Sequence, residues 1–262
     1  MEYQVSVIQF EPVFGDTPSN ISTLMPLLDA AIGSHLIVLP ELSNAGYNFK
    51  DRAEAMEYSE TIGQPGLFQD FLKSQASLRK VHIVSGICER DGNDLFNTAI
   101  LVGPGGILGK YRKIHLFMNE KDIFRTGNSG LPVFDTGGFK IGMLICFDYL
   151  FPEPWRILAQ KGADIVCHPS NLLTENAQRC IPGIALMNRI HVATANRIGD
   201  ERGIHFNGNS FLTDPSGRII RIASHENTEV ISYSIDTEHS RNKMVTARNH
   251  VFNDRRPELY VP

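Results

Sequence analysis

An α/β fold with mixed sheets is what this amino-acid sequence predicts, and two observations predict it. Short apolar runs with strand character alternate with stretches of helical apolar spacing along the chain. In the middle a glycine-marked hairpin interrupts that alternation, which argues against a purely parallel sheet.

The elements follow in order. Residues 3–10 alternate toward a first strand. Residues 19–32 place Ile21, Leu24, Leu27, Leu28 and Ile32 at helical intervals and stop at Gly33, a natural C-terminal signal. Residues 35–39 form a short buried strand, halted by Pro40 and followed at once by Glu41. A helix is expected over 65–78 and a strand over 80–87. Residues 95–102 and 107–113 read as a hairpin around the GPGG at 103–106. That cluster is no dinucleotide loop, because Leu108 stands where a third glycine is needed and the run joins two strands.

Strands continue at 133–134 and 139–146. A helix is expected over 152–161, a strand over 163–168, a helix over 176–188 and a strand over 191–197. Strands at 207–213, 219–223 and 230–235 finish the chain around the DPSG turn at 214–217. With no internal repeat, linker or low-complexity stretch, residues 1–262 read as one domain.

The totals exclude several classes of function. The net charge of −4 is spread without long runs of one sign, so neither nucleic acid nor an anionic membrane is an expected partner. The opening MEYQVSVIQF has no signal-peptide pattern, and no run approaches the ~18 apolar residues of a membrane span. The cysteines at 88, 146, 167 and 180 form no CxxC pair and match no zinc spacing. A cytosolic protein with reduced thiols, no metal and no cofactor is the expectation.

Three chemically capable groups share one position: each follows a strand-like run. Glu41 follows LIVLP, Lys113 ends ILGKYRK, and Cys146 ends IGMLIC. In α/β sheets the carboxyl ends of strands gather ligands and catalytic groups. A thiol with an ordinary pKa of about 8.5 needs a base or a cation beside it to act as a nucleophile. Glu41 suits the base and Lys113 suits the stabiliser of an oxyanion. Each residue also has an ordinary use, as core thiol, helix or turn cap, and solvated cation, and spacing alone leaves both uses open.

Three longer segments carry a resemblance. LPELSNAGY at 39–47, KYRKIHLF at 110–117 and CFDYLFPE at 146–153 resemble the signature segments of the nitrilase superfamily, the carbon–nitrogen hydrolases. GPG at 103–105, HPSN at 168–171, ANRIG at 195–199 and DRRPELY at 254–260 extend the resemblance over nearly the whole chain. It implies a four-layer α-β-β-α sandwich with two mixed β-sheets and a Glu-Lys-Cys triad on Glu41, Lys113 and Cys146. It also implies a second glutamate a few residues past the lysine, where Glu120 stands. The implied chemistry is attack by Cys146 on a carbon of a non-peptide C–N bond, with Lys113 and the backbone N–H of Phe147 holding the oxyanion. Tyr47 and Asn171 are the candidate substrate contacts, while Phe147, Tyr149 and Trp155 are expected to shape the pocket or lie in the core.

His115 and His168 are expected in core or hydrogen-bonding roles, since Glu41 already supplies a base; Cys88, Cys167 and Cys180 are expected to pack. Phe147-Asp148 after the cysteine resembles the amidase branches, whereas nitrile-hydrolysing members usually carry Trp-Glu there. The expected activity is therefore hydrolysis of small linear carboxamides, with dicarboxylic-acid monoamides among the expected substrates. Nitrile hydrolysis, N-carbamoyl amine hydrolysis, acyl transfer and a non-catalytic binding role are the rivals. The tail at about 245–262, rich in arginine and aromatic residues, is expected at the interface of a homodimer or larger homo-oligomer.

Overall fold

The computed structural model describes residues 1–260 and builds two six-stranded mixed sheets. The first is formed by β1 (Glu2–Gln9), β2 (Leu36–Val38), β3 (His82–Asp91), β4 (Asp94–Gly103), β5 (Gly106–Arg112) and a late strand at its edge. The second contains β6 (Val133–Asp135), β7 (Lys140–Met143), β8 (Ile165–Ser170) and β9 (His191–Asn196). A small hairpin of β10 (Ile198–Glu201) and β11 (Ile204–Asn207) follows. β12 (Phe211–Thr213) and β13 (Ile219–Ile222) then complete the second sheet, and β14 (Glu229–Asp236) returns to pair with β1. In each sheet three central strands run parallel, β1-β2-β3 and β7-β8-β9, and their neighbours pair antiparallel.

The helices α1 (Thr17–Ala30), α2 (Arg52–Glu57), α3 (Leu67–Arg79), α4 (Glu120–Ile123), α5 (Pro152–Gln160), α6 (Asn176–Asn188) and α7 (Thr237–Arg241) fill the remaining positions. The two-residue period of the strands explains the layering. Val5, Val7, Leu36, Val38 and Val84 face the second sheet, while Ile8, Ile37 and Ile83 face the layer of α1 and α3. Both faces of each sheet are covered, which is why the strands read as continuous apolar runs. The expected α-β-β-α sandwich is the observed architecture.

Two expectations differ from the structure. The run at 139–146 does not stay extended to the cysteine: β7 ends at Met143, and a 3-10 turn spans Cys146–Leu150. The β10–β11 hairpin falls where 191–197 and 207–213 left an unassigned gap, because its residues lack apolar alternation and its turn is built from Arg202 and Gly203 at positive φ. No helix among the described residues is long and apolar enough to cross a membrane.

Candidate active site

Glu41, Lys113 and Glu120 come together although 79 residues of chain separate the first from the last. Pro40 stops β2, and the following turn swings over β3, where Gly86 N–H donates to the Pro40 carbonyl (3.0 Å) and Ser43 N–H to the Gly86 carbonyl (3.1 Å). A Cβ at Gly86 would lie 2.4 Å from the Glu41 Cα, so only glycine lets the two segments approach this closely. Lys113 follows β5, its N–H still paired with the Asn97 carbonyl at 2.8 Å. Glu120 opens α4 and accepts from Phe117 N–H through Oε2 (2.9 Å).

The side chains then meet. The Lys113 ammonium donates to Glu41 Oε1 and to Glu120 Oε1, each at 2.7 Å, and Lys113 is 1% exposed. Asn97 Nδ2 donates to the same Glu41 oxygen at 2.7 Å and reaches Glu120 Oε1 at 3.4 Å. Glu41 Oε2 is buried with no partner among the described residues. One carboxylate oxygen is thus held by two donors and the other is left open.

Electrostatics follow from two acids sharing one cation. Burial disfavours the Lys113 ammonium, but Glu120 and Glu41 outweigh it and hold the amine above its ordinary range. Burial pushes Glu120 up to about 7, with Lys113 opposing and the Glu41 charge assisting the rise. Burial also raises the Cys146 thiol well above its usual value, as does the Glu41 charge. Lys113 and the Asn171 backbone N–H pull the other way. Burial therefore favours the protonated thiol over the thiolate.

Cys146 itself is held in a left-handed conformation at φ 44°. A non-glycine residue there is strained by about 1 kcal/mol or more, and such strain persists only where the surroundings impose it. The surroundings are visible. His168 Nε2 lies 2.8 Å from the Cys146 carbonyl, and a carbonyl only accepts, so Nε2 carries the proton. Burial lowers His168 to about 4, which keeps the ring neutral and in that tautomer. Asp148 accepts from Ile145 N–H (2.9 Å) and Tyr111 O–H (2.8 Å) and pairs with His115 Nδ1 (2.7 Å). It therefore ties the turn bearing Cys146 to β5 and to the segment after Lys113. The turn's first bond runs from Asp148 N–H to the Ile145 carbonyl at 3.0 Å, leaving the Phe147 N–H ahead of the ladder.

Of the other expected residues, Asn171 is buried, with Nδ2 on the Glu41 backbone carbonyl (3.2 Å) and Oδ1 unpartnered among the described residues. Tyr47 is half-buried with its hydroxyl beside Glu120; burial, then the charges of Glu120, Glu41 and Cys146, raise its pKa well above the usual. Phe147 and Tyr149 line the cleft at Cys146, whereas Trp155 is fully buried and donates to the Asp148 carbonyl (3.3 Å). Cys88 and Cys167 are core residues with thiols raised by burial, and Cys180 is partly buried.

Asn97, Asp148 and Tyr111 escaped sequence reasoning. Asn97 left one trace, a lone carboxamide in the buried strand DLFNTAILVG, which needs a polar partner inside. Asp148 was visible only as a residue type beside the cysteine, and its packing shows an anchor beneath the turn.

Comparison with known proteins agrees with this arrangement. The carbon-nitrogen hydrolase family model matches residues 4–242. A nitrilase of Pyrococcus abyssi is 43% identical over 259 residues, 98% of each chain. A 2-oxoglutaramate amidase of Bacillus subtilis is 30% identical over 274 residues, covering 99% of this chain and 100% of that one. The crystal structure of a carbon-nitrogen hydrolase from Helicobacter pylori G27 superposes with a TM-score of 0.85 at 25% identity, over 99% of this chain and 97% of that one. A match that runs from the first strand to α7, on a sandwich of the same layering, makes this chain a member of the carbon–nitrogen hydrolase family, an enzyme of the nitrilase and amidase type.

Proposed function

We propose that the chain is a cysteine hydrolase that converts small linear carboxamides to carboxylic acid and ammonia through a thioester. The observation that carries this reading is the Lys113 ammonium 2.7 Å from both Glu41 and Glu120, with Glu41 Oε2 left open. The Cys146 proton passes to Glu41 as the sulfur attacks the amide carbon, and the C=O electron pair moves onto oxygen. Lys113 and the Phe147 N–H hold that oxyanion. As the tetrahedral species collapses, the C–N bond breaks and Glu41 returns the proton to nitrogen, which leaves as ammonia. Water, deprotonated by Glu41, then attacks the thioester and releases the acid and the thiol. Glu120 fixes Lys113, and Tyr47 and Asn171 contact the substrate.

His168 serves as positioning group and not as base, because its proton is committed to the Cys146 carbonyl. The test is ammonia release from matched small amides, nitriles and carbamoyl amines with the wild-type chain and Cys146→Ala. A nitrile preferred by about tenfold or more in kcat/KM sinks the amidase assignment. Nitrile hydrolysis is the second reading, and the 43% relative named a nitrilase is what favours it.

The assembly belongs to the same proposal: a homodimer or larger, within one hydrolase domain of reducing cytosol, with the tail at about 245–262 at the interface. Leu259 and Tyr260 are 75% and 60% exposed, and Leu186 and Met187 of α6 stand half exposed near the start of the tail. Val261 and Pro262 of that tail lie outside the described residues.

A further inference from the structure

We infer that the cleft selects substrates whose acyl portion carries no charge, an inference that rests on the amidase reading above. The cleft has two lobes that share Phe117 and Leu173. One holds Cys146 with Phe147, Tyr149, Asn171, Thr174 and Asn176. The other runs from Tyr47 and Glu120 toward Phe49, Ile123 and Ile204. Among the described residues in these walls no side chain is cationic, and the one carboxylate is Glu120.

The nearby cations lie outside these walls. Lys113 is fully enclosed, and its ammonium is shared between Glu41 and Glu120. Lys121 and Arg125 line a neighbouring depression with His115 and Phe151, on the far side of the shared Phe124 and Phe147. Arg202 pairs with Glu54 at 2.8 Å, and Arg197 with Glu201 at 2.5 Å inside the fold. The site therefore holds two acids against one ammonium before any substrate enters.

A carboxylate on the acyl chain would shed water on entering, find no cation, and face Glu120 and Glu41. Burying an unpaired charge beside like charges is strongly unfavourable, and nothing in the thioester-forming step repays it. A neutral chain meets aromatic and aliphatic walls with carboxamide and hydroxyl groups at the edge, the usual composition of a site for an uncharged ligand. This separates the chain from the relative named for 2-oxoglutaramate, whose substrate name specifies a carboxylate.

Succinamide and succinamate test the inference, since they match in length and shape and differ by one terminal charge. Ammonia release by the purified full chain should favour succinamide by at least about thirtyfold in kcat/KM, and should stop after one ammonia per succinamide, because its product is succinamate. A smaller ratio overturns the inference. If neither amide turns over, butyronitrile and 3-cyanopropionate repeat the comparison. Preference for the neutral nitrile sinks the amidase reading and upholds charge selection, whereas equal turnover sinks both. Should all four fail, protection of Cys146 from iodoacetamide by succinamide and not by succinamate upholds the inference, and equal protection overturns it. Leu173→Arg, at the junction of the lobes, should raise succinamate turnover at least about tenfold with succinamide changed only a few-fold. Absence of that gain overturns the assignment of selectivity to these walls.

Discussion

Cys146 is both the strained residue of its turn and the atom that would react, so its substitutions separate chemistry from folding. Cys146→Ala should lower turnover by on the order of 10⁴ or more while circular dichroism and melting temperature stay near wild type. A tenth of the wild-type rate remaining would remove the sulfur from the mechanism. Lys113→Arg keeps the charge, but a planar fork does not fit a space enclosed by Glu41, Glu120 and Asn97, and a loss of at least about a hundredfold in kcat is expected. Glu120 gives the site a pH signature. With its pKa raised to about 7, it is protonated below that value and ionised above it, so the carboxylate that fixes Lys113 disappears as pH falls. The log kcat/KM should therefore rise with pH and level off above about 7. Lys113, held above its ordinary 10.5, adds no loss on the alkaline side below that value. Glu120→Gln should abolish the inflection near 7; a profile unchanged in the variant would assign that titration to another group.

At the scale of elements, a buried ion pair outside the reacting groups sets the loop that carries Tyr47. Glu201, at the end of β10, accepts from Tyr47 N–H (2.8 Å) and Asn48 N–H (2.5 Å), and Arg197 holds its other oxygen beneath the face of Phe206. Gly46 makes the contact possible: it sits at φ 85°, and a Cβ there would stand 2.6 Å from Glu201 Oε2. Gly46→Ala should lower stability by about 1–3 kcal/mol, read from urea midpoints at unchanged slope. Glu201→Gln leaves Cys146, Glu41 and Lys113 untouched but weakens the grip on the Tyr47 loop. The expected result is KM raised about three- to tenfold with kcat within twofold, since ground and transition states lose the same contact. A loss confined to kcat would instead place the loop in the chemical step.

For the whole molecule, two mixed sheets stacked face to face bring the ends of β2, β5, β7 and β8 to one cleft, and no single sheet carries all the groups. Leu186, Met187, Leu259 and Tyr260 are exposed apolar residues, and Lys243 ties the segment before the tail to the end of α6 through the Asn188 and Arg189 carbonyls. Light scattering at micromolar concentration should report a dimer or larger. Truncation after residue 244 should weaken it by at least about tenfold in dissociation constant. A monomer in the full-length chain would refute the proposed assembly.

What the sequence alone determined is what local patterns encode. Continuous apolar runs marked the strands and their two covered faces, Gly33 and Pro40 marked boundaries, and three signature segments pointed to Glu41, Lys113 and Cys146, with Glu120 a few residues past the lysine. Tertiary structure decided the rest. The shared 2.7 Å contacts of Lys113, the role of Asn97, the anchoring by Asp148 and the Glu201 clamp all join residues from different strands. Periodicity reports which face of an element is buried, but not which buried polar group it meets. The turn at Cys146 shows the same limit: IGMLIC reads as one strand, yet β7 ends at Met143, and His168 and Asp148, brought in by packing, hold the left-handed residue of the turn that follows. A buried polar side chain must find its partner across the core, and that partner is set by how the two sheets stack.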